Sequence, residues 1–431
     1  MQTFSQKLYF RIMLMIVIIA IFSLNSSSAS TSMNIIEKTQ LNNVDGVSST
    51  NHTVLVEIAS SQGCSGCHDW NNEIIAEYEN NSFDFEFVEM IVYDYNWDVL
   101  NIDAYQWKEL FGITGYPTSI FDGGYKQHVG SNSDMLPSIL ANCEERNVND
   151  IDAQLHVFWI SSTLMNISIQ ITNNEPETYH GSIRVPITEI ISRYNTSYNE
   201  PFHNGFLDYA FNKNISIEPG QTYQDYVLWD GKNHQDAQEN DFSDINQHNV
   251  KVLLSVFDSK GFSDETITWT LNEDINQSIF DRGFPIRHAV DGDWAGAQNF
   301  SFTKNVISSA KMFLRKFGTP EFNLTIELHE NSIDGSIIET KSYTPDEIQS
   351  NWHWFEFDFT DTTVVSGTEY FIVIPPAPIG VESSFGYEWG YAFNNQYDNG
   401  SFWFTRDGGN LWRDLPNMYE FSFKTYGYNL N

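Results

Sequence analysis

The spacing of hydrophobic and polar positions changes once along the chain, near residue 150, and divides it into two kinds of structure. From Thr53 to Asn147 short apolar runs alternate with segments of helical period. Val54-Leu55-Val56 reads as a buried strand, and Trp70, Ile74, Ile75 and Tyr78 then recur at the spacing of one helix face. Phe83–Asp94 predicts a second strand with a buried centre, Leu100–Phe111 a second helix, and Met135–Glu145 a third. Between them, Ser119–Phe121 and Tyr125–Val129 predict two strands joined at Asp122-Gly123-Gly124. From Ile151 onward the period is that of strands. Ala153–Trp159 and Met165–Thr172 alternate around Ser161-Ser162. Gly181–Ile191, Asn214–Glu218, Thr222–Trp229 and Val250–Asp258 follow, with turns at Pro219-Gly220 and Ser259-Lys260-Gly261. Asn272–Asn276 reads as a polar junction, and a further series of strands runs from Ala297 to Tyr426.

Charge narrows the function. The 431 residues hold 57 Asp and Glu against 22 Lys and Arg, a net charge of −35. Such a surface repels nucleic acid and anionic lipid, and no basic patch offsets it, so no nucleic-acid partner is expected. At the N-terminus, Lys7 and Arg11 precede the apolar stretch Ile12–Leu24, and Ser27-Ser28-Ala29 follows it. Positive start, short apolar middle and small residues are the marks of a secretory signal, expected over residues 1–29 with a polar linker over 30–50. The stretch is too short to span a bilayer comfortably and has no second copy. The expectation is a secreted or cell-surface protein with no stable transmembrane span.

Only three cysteines are present, Cys64, Cys67 and Cys143, too few for a disulfide scaffold. Cys64-Ser65-Gly66-Cys67 stands between a predicted strand and a predicted helix. The free N–H groups and positive end of a helix favour a thiolate over a thiol. That field is worth roughly 0.3–1 kcal/mol and up to ~2 when partly buried. At ~1.36 kcal/mol per pH unit, it lowers a thiol pKa by about one unit.

The strand before Cys64, the helix after Cys67 and the distant Gly115-Tyr116-Pro117-Thr118 together resemble the thioredoxin family over roughly residues 51–148. The resemblance implies an α/β domain in which Cys64 is the nucleophile and Cys67 resolves, the two pairing as a disulfide. It implies a cis bond before Pro117, which would lie against that disulfide. Tyr116 and Thr118 would border the groove for a bound peptide, together with Gly63, Ser65 and Gly66. Glu57, on the first strand, would serve as the buried acidic proton relay, or would be a strand-end charge facing solvent. The match departs from the family in two ways. Gly63 stands where thioredoxins usually carry tryptophan, and Ser65-Gly66 matches neither the Gly-Pro of reductants nor the Pro-His of strong oxidants. The direction of the redox reaction is therefore left open.

The strand-rich remainder implies two all-β sandwiches. Segments such as RVPITEI and NVKVLLSVFDSKGF resemble the immunoglobulin-like module that follows a thioredoxin-like domain in some exported proteins, here over 149–273. Residues 274–431 resemble the jelly-roll-like sandwiches at the ends of secreted proteins, often tied to a surface glycan or protein. Thr405, Asp407, Gly409 and Trp412 fit an Asp-box hairpin. The expected fold class is thus multidomain, an α/β thioredoxin-like domain followed by two β-sandwich domains.

Competing chemistries share the same residues. Cys64 to His68 satisfies CxxCH, the haem attachment motif, with His68 as axial ligand. A zinc site would need a second cysteine pair, which is lacking. Cys143 reads as a small buried hydrophobe. Asp291, Asp293, Asp358 and Asp361 could contribute to a Ca²⁺ site, but their spacing fits no defined loop, and solvated turn carboxylates are the simpler reading. No metal and no cofactor is expected. Two functions follow. One is an exported thiol–disulfide oxidoreductase acting on thiol- or disulfide-containing proteins. The other is an extracellular adhesion or binding protein in which the CxxC segment is scaffold.

Overall fold

The computed structural model describes residues 52–286, 293–377, 385–393, 397, 399–416 and 418–429. The expected signal and linker segments, Asn51 and Asp291 lie outside them. Three α-helices and 24 strands are found among the described residues. The first part runs β1 (Val54–Ser61), α1 (Ser65–Asn80), β2 (Phe85–Tyr93), α2 (Ile102–Leu110), β3 (Thr118–Phe121), β4 (Lys126–Val129) and α3 (Leu136–Glu144). Local chemistry sets the helix ends. Asn101 caps α2 by accepting the Ala104 N–H at 3.0 Å. Asn81 ends α1 in the left-handed region at φ 55°, where asparagine is tolerated.

The middle part is β5 (Ile151–Trp159), β6 (Leu164–Asn173), β7 (Tyr179–Asn195), β8 (Pro201–Ile217), β9 (Thr222–Asp230), β10 (Val250–Phe257) and β11 (Ser263–Thr270). Four of these strands join the first four in one eight-stranded sheet, in the order β11-β10-β7-β8-β2-β1-β3-β4. The seam is the parallel contact of β2 with β8, at Glu89 beside Gly205. A Cβ on Gly205 would fall 2.4 Å from Ser192 Oγ of β7, so glycine fits β8 closely against its hairpin partner at this point. The remaining strands, β5-β6-β9, form a separate three-stranded sheet that shares a core with β7, β8 and β10.

The expected fold class is corrected here. The chain is predominantly β, and strands β1–β4 do not close into an α/β thioredoxin-like domain of their own. Their sheet continues into strands expected to build an immunoglobulin-like sandwich. The core on the α2 face holds Leu55, Val88, Trp107 and Ile120 together with Phe206, Leu253 and Phe257 of β8 and β10. Buried charge also ties the first part of the chain to β11. Asp122 accepts from Arg146 Nε at 3.3 Å, and Arg146 in turn lies 3.8 Å from Asp264 of β11. Gly123, at φ 66°, would place a Cβ 2.1 Å from the Gly261 carbonyl oxygen in the β10–β11 turn. Sequence periodicity locates strands but not their neighbours, which is why the shared sheet was not visible in it.

The last part comprises β12 (Asn272–Gln277), β13 (Arg282–Ile286), β14 (Ala295–Ser301), β15 (Val306–Phe317), β16 (Leu324–Glu330), β17 (Ile337–Tyr343), β18 (His353–Thr363), β19 (Glu369–Ile374), β20 (Gly386–Phe393), β21 (Phe402–Thr405), β22 (Arg413–Asp414), β23 (Tyr419–Phe421) and β24 (Phe423–Tyr428). These strands form a seven-stranded and a six-stranded sheet packed around one aromatic-rich core. The segment read as a polar junction is strand β12, paired with β24. Edge position, not apolar alternation, makes it a strand. The β21–β22 hairpin turns as the Asp-box pattern requires, with Asp407 Oδ1 accepting the Leu411 N–H at 3.0 Å.

Candidate functional site

Cys64 and Cys67 are joined by a disulfide at the start of α1. The turn out of β1 delivers them. Cys64 N–H bonds to the Ser61 carbonyl at 3.1 Å, and Gly63 N–H reaches Ser61 Oγ at 3.3 Å. Cys64 is the N-cap of the helix, and its Sγ accepts the Cys67 N–H at 3.0 Å. The two residues differ slightly in exposure, Cys64 keeping 9% and Cys67 none.

The enclosure comes from a place the sequence did not suggest. Tyr194 and Phe202, at the end of the β7–β8 hairpin, pack with both cysteines, Ile91 and Leu100. The hairpin tip is tied down on two sides. Tyr95 OH donates to the Thr196 carbonyl at 2.9 Å, and Gln62 Nε2 donates to the Asn195 carbonyl at 3.2 Å. His68, the residue after Cys67, lies 4.4 Å from the Tyr198 ring, within 3.3 Å of Thr196 Oγ1 and 3.7 Å from Glu200. His68 is thus engaged by the hairpin.

The other expected positions divide. The Tyr116–Pro117 bond is cis, and Pro117 Cδ lies 3.5 Å from the position of a Cβ on Gly66. Gly63 and Ser65 are exposed and Gly66 half-buried beside the disulfide. Tyr116 is half-buried, 5.8 Å from the Tyr93 ring and 6.0 Å from Trp97. Thr118 is close in space, but its side chain is buried and donates to the Gly115 carbonyl at 2.8 Å.

Glu57 is not brought to the disulfide. It pairs with Val88 and Ile120, residues whose side chains belong to the α2 face of the sheet, whereas α1 packs on the other face. There Glu57 is buried and ion-paired with Arg184 at 2.9 Å. Burial raises its pKa, and Arg184 opposes that rise. The carboxyl on the disulfide side is Glu89. It pairs with Ile58, and it stands two residues from Ile91 of the cysteine cluster on the same face. Glu89 is fully buried, accepts the Ser60 hydroxyl, and has its pKa pushed up to about 8 by burial, an effect the Ser60 and Asn71 side chains oppose. Asn71 is one turn beyond Cys67 on the buried face of α1. A lone carboxylate inside Val88–Val92 was the available signal for Glu89.

Among the described residues, no group of three or more His, Cys, Asp and Glu side chains converges as a metal site. Asp293 bridges to Asp407, while Asp361 lies near Asp358 and Glu339. Cys143 is buried, and burial pushes its thiol up to about 12. No helix among the described residues is long and apolar enough to cross a membrane.

No family model and no curated protein matches the sequence. Among solved structures, the chain is similar to HBP35 of Porphyromonas gingivalis, with a TM-score of 0.41 and 9% identity over 71% of this chain and 98% of that one. It is also similar to the protein AGR_C_4864 from Agrobacterium tumefaciens, with a TM-score of 0.31 and 12% identity over 54% of this chain and 98% of that one. A β-glucosidase from Kluyveromyces marxianus matches at a TM-score of 0.19 and 12% identity, over 29% of this chain and 14% of that one. Similarity at these levels assigns no family and no activity.

Proposed function

We propose that the protein carries out thiol–disulfide exchange at Cys64–Cys67, with thiol- or disulfide-containing proteins as partners. The observation that carries this reading is the asymmetry of the two sulfurs. Cys64 keeps 9% exposure and its Sγ accepts the Cys67 N–H at 3.0 Å, while Cys67 is fully buried. A partner thiolate attacks Cys64 Sγ, the Cys64–Cys67 bond breaks, and Cys67 leaves as a thiolate. A second partner thiol then displaces Cys64, so the partner dithiol loses two electrons and the CxxC pair gains them. In reverse, the Cys64 thiolate, favoured by the helix-end N–H groups, attacks a partner disulfide, and Cys67 resolves the mixed species. No cofactor enters either direction.

A second reading has its own support. Tyr194 and Phe202 enclose the bridge, as they would a structural disulfide in an extracellular binding protein whose β-sheets hold a surface glycan or protein. The reduction potential separates the two. The exchange reading expects a value between roughly −270 and −120 mV, and a value below about −300 mV would identify an inert bridge.

A further inference from the structure

The disulfide is ringed by side chains that the exchange step does not use. Trp97 is 53% exposed, and its Nε1 lies 3.6 Å from the position of a Cβ on Gly63, the residue before Cys64. Its backbone is in the left-handed region at φ 66°, which a bulky residue adopts only when the surrounding structure imposes it. Here Asp94 imposes it. The Asp94 carboxylate accepts the N–H groups of Asn96 at 2.8 Å and Asp98 at 2.9 Å, and Gln238 Nε2 donates to it at 2.9 Å. A strained and half-exposed indole is thereby held beside Gly63, the residue before Cys64.

Two further exposed rings stand nearby. Tyr95 is 49% exposed, and its carbonyl lies 3.5 Å from the same position on Gly63. Tyr198, 60% exposed, packs on His68. Exposed carboxylates neighbour these residues: Asp98 and Asp69 follow Trp97 and His68 in the chain, and Glu200 lies 3.7 Å from His68. Aromatic faces attract cations, and carboxylates beside them add to the attraction. The net charge of −35 acts in the same direction at longer range.

We propose that this aromatic and acidic rim recognises a basic polypeptide segment carrying the cysteine that exchanges with Cys64, with Trp97 as the residue that sets the preference. The inference rests on the exchange reading and names its substrate class. Lys and Arg beside a thiol also lower its pKa, so such a segment presents more attacking thiolate.

The test uses the full oxidised chain and three dicysteine peptides of equal length, flanked by Lys/Arg, by Ser/Gly or by Asp/Glu. Opening of Cys64–Cys67 is followed by alkylation and mass, and each rate is divided by the peptide's own thiolate fraction. At low salt the basic peptide should react about tenfold faster than the acidic one, and the ratio should fall toward one at ~0.5 M salt. Trp97→Ala should lower the ratio of the basic to the Ser/Gly peptide several-fold, and Trp97→Phe should restore most of it. The pair Asp98→Asn with Glu200→Gln should flatten the salt dependence, and it decides the matter if Trp97→Ala does not fold. Equal rates for the three peptides in the parent, or ratios unmoved by these variants, would overturn the inference while leaving exchange standing, provided dithiothreitol opens the bridge. Failure of dithiothreitol to open it would overturn both.

Discussion

Replacing Glu89 by Gln tests whether the carboxyl behind the cysteines is neutral in the folded protein. Glu89 is completely buried on β2, between Ile58 of β1 and Gly205 of β8, with the Ser60 hydroxyl on one oxygen. Its other oxygen and the Asn71 amide nitrogen lack well-formed hydrogen bonds. Burial disfavours the charged form and takes the pKa from 4.5 to about 8. Because the folded pKa lies above the unfolded one, the folded state binds the proton more tightly. The stabilisation is complete below pH 4.5 and is lost as pH rises toward 8. At about 1.4 kcal/mol per pH unit, the loss across that window is roughly 5 kcal/mol. A glutamine keeps the shape and the acceptor but never ionises, so it removes this slope. Urea unfolding of parent and Glu89→Gln, followed by circular dichroism from pH 5 to pH 8, isolates the residue, since all other titrations are common to both. The two proteins should be of similar stability near pH 5, and the variant should be the more stable by several kcal/mol at pH 8. A difference that does not change with pH, or a variant less stable at pH 8, would refute the buried neutral acid.

Arg184→Met should leave the Glu57 carboxylate buried without its partner and cost about 3–5 kcal/mol at pH 7 by urea unfolding. The cost should shrink in acid, where Glu57, its pKa already raised by burial, is neutral; a cost independent of pH would contradict the ion-pair account. Exchange roles follow from access, Cys64 at 9% exposure and Cys67 at none. Reduced Cys67→Ser should therefore accumulate partner adducts that reductant releases, seen by non-reducing mass analysis, and Cys64→Ser should not. Equal trapping by both would reverse the assignment.

By itself, the sequence determined the local elements around the cysteines, because short-range physics sets them. The apolar run Val54–Val56, the helical spacing from Trp70 to Tyr78 and the turn at Asp122–Gly124 all specify structure within a few residues. The Asp-box hairpin was legible for the same reason, since Thr405, Asp407 and the Leu411 N–H are neighbours in the chain. Pairings between distant segments were not. Period-2 spacing says that a strand is half-buried, but not that β2 will lie beside β8, which it meets at Glu89 and Gly205. That single contact turned an expected α/β domain into part of an eight-stranded sheet. The surroundings of Glu57 were out of reach in the same way. One residue of register decides which side of a sheet a side chain takes, and it placed Glu57 with Arg184 and Glu89 behind the cysteines. The enclosure of the disulfide was equally out of reach, because Tyr194 and Phe202 lie more than a hundred positions further along the chain. A hydrophobic pattern records that such residues are buried, and only the tertiary structure decides against what.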